Sequence, residues 1–160
     1  MPRTVVAVSS TIQAPPGRVY SVIRNYREHH PRILPREYFR DLTVSQGGIG
    51  AGTHASVEMR VLGVRRTLRF VVSEPSPGRV LVEATTDGST VTTFTVEPEG
   101  EGAATHLTFS TEFTTRKGLA GAIELTTTSF MLRRIYRKEQ QQLARYVAGD
   151  IRTNEHTSAQ

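Results

Sequence analysis

Residues 119–147 read LAGAIELTTTSFMLRRIYRKEQQQLARYV, a stretch with no proline and no glycine after Gly121. Leu125, Leu132, Ile135/Tyr136, Leu143 and Tyr146/Val147 recur in it at helical spacing on one stripe, and Arg133, Arg134, Arg137 and Lys138 avoid the middle of that stripe. The spacing predicts one helix of roughly 40 Å at about 1.5 Å per residue. Such a helix must lay its apolar stripe on something. Gly149 is the expected stop. Residues 151–160 then read as a polar tail, expected to be disordered.

The preceding segments supply the partner. Thr53, Ala55, Val57, Met59 and Val61 alternate with polar neighbours at period two, the pattern of a half-buried strand. Leu62-Gly63 turns the chain into a return strand with Leu68, Phe70 and Val72 on one face. Glu74–Gly78 reads as a loop, Arg79–Thr86 as a strand, Asp87-Gly88-Ser89 as a hairpin turn, and Thr90–Glu97 and Ala104–Phe113 as two further strands. Phe39–Val44 precedes them as a strand ending in Gly47–Gly52. That glycine run lacks the Lys-Ser/Thr of a phosphate loop and leads into a strand rather than a helix, so it reads as a turn. At the front, Val5–Ile12 is a β-branched strand closed by Pro15-Pro16. Val19, Tyr20, Val22 and Ile23 form a short helix, and His29-His30-Pro31 opens a second one through Ile33 and Leu34. Seven strands joined by short turns make an antiparallel sheet. A sheet curled around one long helix leaves a concavity wherever the side chains are small.

Composition narrows the chemistry. The chain has 160 residues, 37% hydrophobic and 22% charged, with no Cys and no Trp. That is a globular composition, and it excludes disulfides, thiolate metal sites and a Cys nucleophile. No uncharged run is long and apolar enough to span a membrane, and Val5–Val8 is too short for a signal-peptide core. The expectation is a soluble cytoplasmic protein, a monomer or a homodimer, with one domain over residues 1–150. The net charge of +5 is segregated: residues 1–80 hold 12 basic and 5 acidic side chains, whereas no Lys or Arg occurs between Val80 and Thr115. Aromatics are not interleaved with the basic residues, so no specific nucleic acid is expected. An Arg-rich front (Arg18, Arg24, Arg27, Arg32, Arg36, Arg40) leaves room for an acidic protein partner.

The segment Ile12-x-Ala14-Pro15-x3-Val19-Tyr20-x2-Ile23, with Leu34-Pro35, Gly50-x-Gly52-Thr53, Glu74-Pro75-x-Pro77-Gly78 and the closing helix, resembles the START-like (SRPBCC) superfamily. The likeness is to its bacterial polyketide cyclase/dehydrase and lipid-transport branch and covers nearly the whole chain. It implies an α+β helix-grip (Bet v 1-like) fold, with a curved antiparallel sheet of about seven strands around the C-terminal helix and two short helices after the first strand. It implies an apolar or aromatic ligand, such as a lipid, a quinone or a polyketide-like molecule, held between sheet and helix. The group includes both carriers and cyclase, dehydratase or aromatase enzymes, so fold alone does not choose between them.

Strand parity then nominates the wall: Val57, Met59, Leu68, Phe70, Phe94, Phe109 and Phe113 on the sheet, with Leu125 and Leu132 from the helix. Thr92 and Thr111 share that parity and would orient a ligand. Thr126–Ser129 interrupts the apolar stripe and would leave space above the sheet. Tyr26 and His30 are the catalytic candidates, placed at the cavity mouth, where a hydroxyl and an imidazole can donate a hydrogen bond or move a proton. No histidine spacing suits a metal, and no cofactor is expected. Glu112 should face outward, which argues against a catalytic pair with Glu83. Glu83 competes with Val80 and Val82 for the inner face. Arg66 is open between cavity and solvent, and Glu139 has an edge pair with Arg134 or Arg137 as its ordinary role.

Overall fold

The computed structural model describes the backbone of residues 2–157 and the side chains of residues 2–149. Its elements run β1 (Arg3–Ile12), α1 (Pro16–Arg24), α2 (His30–Ile33), β2 (Phe39–Gln46), β3 (His54–Val61), β4 (Val64–Ser76), β5 (Val80–Thr85), β6 (Thr90–Glu99), β7 (Ala104–Thr114) and α3 (Gly118–Thr157). The seven strands form one antiparallel sheet in the order β1-β7-β6-β5-β4-β3-β2. This is the helix-grip architecture expected from the alternation of periods. Two boundaries differ from the expectation. β4 extends through Pro75 to Ser76, the shift in its pairing with β5 falling between Ser73 and Ser76. And α3 does not stop at Gly149; it continues to Thr157, while the last residues of the expected tail lie outside the described residues. One glycine inside a helix costs only about 1 kcal/mol and need not end it.

The core fills the space between the sheet and α3. Val8 and Ile12 of β1, Val19 and Ile23 of α1, Leu81, Phe94, Leu107 and Phe109 of the sheet, and Ile135, Leu143 and Val147 of α3 are buried together. The second half of α3 makes the tight grip. Gln140 Nε2 donates to the Val8 carbonyl at 2.9 Å, and Tyr146 hydroxyl and His29 Nδ1 are hydrogen-bonded at 2.6 Å. The first half stands off: Leu125 and Thr128 are only half-buried, and Leu119, Ile123 and Phe130 point into solvent.

The glycine run Gly47–Gly52 fixes the end of α1. Gly50 N–H donates to the Arg24 carbonyl at 2.8 Å, and Tyr26 N–H donates to the Gly48 carbonyl at 2.8 Å. Gly50 has φ +66°, and a Cβ there would collide with Glu74 Oε1. That carboxylate accepts from Ala51 N–H at 2.8 Å and pairs with Arg24 at 3.2 Å. Asn25 ends the helix with a side-chain turn, its Oδ1 accepting from Arg27 N–H and Glu28 N–H. The clasp thus sets where Tyr26 and His30 emerge beneath the sheet. It also engages two of the front arginines, since Arg27 donates to the Gly47 carbonyl.

Leu143 is fully buried at the grip and Phe130 is 64% exposed. Leu143→Ala is expected to cost about 2–5 kcal/mol in urea unfolding, and Phe130→Ala to stay within about 0.5 kcal/mol of wild type.

Candidate functional site

Between the sheet and the first half of α3 lies a cavity of about 420 Å³. Its apolar wall includes Phe39, Leu42, Val57, Met59, Leu68, Phe70, Phe94 and Phe113 from the sheet, Leu132 and Ile135 from α3, and Leu34 from the α2–β2 connection. Cross-strand register builds a polar line across this wall. Glu83 of β5 sits opposite Thr92 of β6, and Thr92 opposite Thr111 of β7, so one carboxyl and two hydroxyls stand side by side on the concave face. Thr92 and Thr111 hydroxyls are 2.9 Å apart, and the Tyr136 hydroxyl reaches down from α3 to bond both.

At the closed end, four ionisable groups meet. Glu139 enters from α3, 2% exposed; His30 enters from α2, 3% exposed. His30 Nε2 lies 3.8 Å from Glu83 Oε1 and 4.0 Å from Glu139 Oε1. Its Nδ1 is 2.7 Å from the Ile23 carbonyl, which can only accept, so Nδ1 carries the proton and the Nε2 lone pair of the neutral ring faces the two carboxyls. Tyr26 stacks under His30 at 4.4 Å, and its hydroxyl donates to Glu83 Oε1 at 2.5 Å. Neither carboxyl has an Arg or Lys ion-pair partner among the described residues.

Burial without a counter-cation disfavours every charged form. It pushes Glu83 up to about 7 against a smaller opposing effect of the Tyr26 hydrogen bond. It raises Glu139 well above the usual carboxylate range, and the neighbouring Glu83 raises it further. It lowers His30 to about 4, and it holds Tyr26 and Tyr136 in their phenol forms, Tyr136 pushed up to about 12. Near neutrality the site therefore holds a Glu83 close to half-titration and an uncharged imidazole, beside a Glu139 whose acid form burial favours strongly. A proton donor and a proton acceptor sit together in a mostly apolar chamber, the arrangement that general acid–base chemistry requires.

The opposite end is open. Arg66, Ser89, Arg116 and Glu124 line it and are exposed or half-exposed. Thr128, from the polar interruption in the α3 stripe, lines the cavity as well; Thr127 faces solvent, and exposed Thr126 caps the Ala122 carbonyl.

Several placements correct the reading of the sequence. Tyr26 and His30 are not at the mouth but at the sealed end, because the glycine clasp turns the chain inward after α1. Tyr26 does not itself reach the cavity and acts on it through Glu83. Phe109 is fully buried behind the wall, edge-on to Phe94 and Tyr136, and Leu125 lies off the cavity face; neither is in the lining. Glu139 makes no edge pair: Arg134 donates to the Tyr38 hydroxyl instead, and the carboxyl faces inward. Arg66 lies in regular register opposite Met59, exposed yet at the rim. Glu112 does face outward, bonded to Arg3 at 2.9 Å. Glu139, Tyr136 and Glu124 were not proposed for the site from sequence. For Glu139 the signal existed, since it sits four residues after Ile135 and four before Leu143 on the stripe. No cluster of three or more metal-ligating side chains occurs among the described residues, and none of their helices is long and apolar enough to cross a membrane.

The family model for polyketide cyclase/dehydrase and lipid-transport proteins matches residues 3–148. The chain belongs to that family. No curated protein matches. Among solved structures, the KanY protein superposes with a TM-score of 0.80 at 27% identity, over 92% of this chain and 99% of KanY. Norcoclaurine synthase from Thalictrum flavum, solved with dopamine and hydroxybenzaldehyde, gives 0.70 at 16% identity over 92% and 88%. The major latex-like protein 151 of Panax ginseng gives 0.66 at 13% over 90% and 97%. The two plant proteins share the Bet v 1-like fold with this family member, and the fold is one that binds hydrophobic ligands.

Linkage fixes the sign of the pH dependence. A carboxyl raised by folding holds a proton that the unfolded chain releases, so stability falls as pH rises from the unfolded value, near 4.5, to the folded one, about 7 for Glu83; Glu139, also raised, acts in the same direction. His30, lowered to about 4, acts oppositely, but only below 6.5. Between pH 6.5 and 9 the carboxyls act alone. Glu83 alone loses about 1 kcal/mol across that window, so the wild-type Tm is expected to fall by about 2–4 °C more than that of Glu83→Gln.

Proposed function

We propose that this family member binds an apolar or aromatic small molecule, polyketide-, lipid- or quinone-like, and catalyses proton transfer on it as a cyclase or dehydratase does. The observation that carries this reading is the pair Glu83 and Glu139, with neutral His30, in the wall of a cavity otherwise lined mainly by hydrocarbon and hydroxyl groups. A carrier of apolar molecules gains nothing from burying two carboxyls without cations, at a cost of several kcal/mol for each that ionises. An acid–base site requires such groups. A ligand carbonyl at the closed end would accept the Glu139 proton while the Glu83 carboxylate takes a proton from the adjacent carbon, giving an enol. As the enol O–H returns its proton to Glu139 and the carbonyl re-forms, the bond from the β carbon to its hydroxyl breaks and the departing oxygen takes the Glu83 proton, which releases water and restores both carboxyls. Tyr26 positions Glu83. The Thr92–Thr111–Tyr136 hydroxyls would orient a second oxygen. The aromatic molecules bound by norcoclaurine synthase in the same fold support an aromatic ligand.

The reading is tested with an enolisable aromatic ketone, 1-tetralone, in D2O, following loss of the α-proton signal by NMR. Wild type is expected to accelerate exchange over buffer. Glu83→Gln should lower that rate by about 10²-fold while leaving the tetralone Kd within a small factor. Native mass spectrometry of freshly purified protein should show a retained apolar ligand. Tight binding of ligand with exchange no faster than buffer would reduce the protein to a carrier.

A further inference from the structure

The described residues expose seven large hydrophobic side chains, and five of them flank the open end of the cavity. Leu119, Ile123 and Phe130 of α3 are 80%, 62% and 64% exposed; Leu62 and Val64, at the β3–β4 hairpin, are 71% and 59% exposed. Singly such residues are ordinary. Their grouping is not. At about 100° per residue, Leu119, Ile123 and Phe130 fall within roughly 40° of one another. They lie roughly opposite Glu124, Thr128 and Leu132, which line the cavity. The first half of α3 thus carries large apolar side chains on its outer face, while Glu124 and Thr128 stand on the inner one. The hairpin lines the same cavity with Met59, Arg66 and Leu68, so both exposed groups sit on elements that border its open end.

The charge around them is mainly basic, although Glu58 pairs with Arg60 and Glu124 with Arg116. Residues 60–69 hold Arg60, Arg65, Arg66 and Arg69 and no acid; residues 116–137 hold Arg116, Lys117, Arg133, Arg134 and Arg137 against Glu124 alone. Arg134 and Arg137 continue the direction of the apolar face toward the C-terminus. Apolar side chains on a convex helix, followed and flanked by guanidinium groups, match the interface of an anionic bilayer, where rings and aliphatic chains enter the acyl boundary and cations meet the headgroups. A peptide or protein partner held by apolar contact would want a groove, and the stripe protrudes.

The geometry points to a membrane-docking surface: the outer face of the first half of α3 and the β3–β4 hairpin seat the cavity mouth on an anionic lipid surface. An apolar ligand then passes between bilayer and cavity without crossing water. The proposal does not depend on the acid–base role of Glu83 and Glu139, and its test leaves that role untouched.

The full chain is sedimented with phosphatidylcholine vesicles and with vesicles containing phosphatidylglycerol, at low and high salt. Binding is expected to the anionic vesicles, weakening as salt rises. Leu119→Ser/Ile123→Ser/Phe130→Ser should lower that affinity about tenfold or more with an unchanged Tm, and Arg65→Glu/Arg137→Glu should lower it independently. Failure of the wild type to bind anionic vesicles overturns the proposal. So does equal loss of binding to soluble polyglutamate in the serine variant, which would mark an acidic protein site. A dimer in sedimentation equilibrium that the serine variant dissociates would assign the stripe to a second copy of the chain and also overturn it.

Discussion

Two carboxyl groups, the buried Glu139 and the half-buried Glu83, lie within about 4 Å of one imidazole nitrogen, with no Arg or Lys paired to either among the described residues. Everything else about the site follows from how the fold tolerates this. Ionising a buried carboxyl is costly, so the groups keep or share protons instead of charges. His30 cannot relieve them by becoming cationic, because its own burial disfavours that and its Nδ1–H is committed to the Ile23 carbonyl. The one strong hydrogen bond offered to a carboxyl comes from Tyr26, whose phenol is itself sealed beneath the site.

The fold can sustain such a cluster because it separates gripping from enclosing along a single helix. The second half of α3 packs Leu143 and Val147 into the core and ties Gln140 and Tyr146 to β1 and the α1–α2 turn. That anchorage holds Glu139 in place at the boundary. The first half, with Thr128 and Glu124 where larger apolar side chains would close the gap, bridges over open space. On the sheet, antiparallel register aligns Glu83, Thr92 and Thr111, so the polar groups form a line rather than a scatter. The glycine clasp against Glu74 delivers His30 from the far side. Each element is local, and the site exists only where all of them meet.

Strand periods, the long stripe and the turn residues made the architecture legible from residues 3–114 and 119–147. Parity also put Val57, Leu68, Phe70, Phe94 and Thr111 on the concave face. Three things were not legible. Phe109 shares parity with Phe94, but its distance from the cavity is set by Tyr136 standing in front of it, a contact from another element. His30 was expected at the cavity mouth because its burial depends on the Gly47–Gly52 loop, some twenty residues away. Glu139 looked like an edge charge because Arg134 and Arg137 were within reach along the helix; Arg134 instead bonds Tyr38, and helical position turned the carboxyl inward. In each case the deciding partner came from a different part of the chain.

The central claim is that a cavity in a cyclase/dehydrase-family protein holds two carboxyls well above the ordinary carboxylate range. It is tested most directly by 13C NMR of the Glu83 and Glu139 carboxyl carbons, assigned by Glu→Gln substitution and followed through a pH titration. The account predicts that Glu83 titrates near 7 and that Glu139 titrates well above the ordinary carboxylate range. Titration of both carbons in the ordinary carboxylate range, near 4.5, would contradict it.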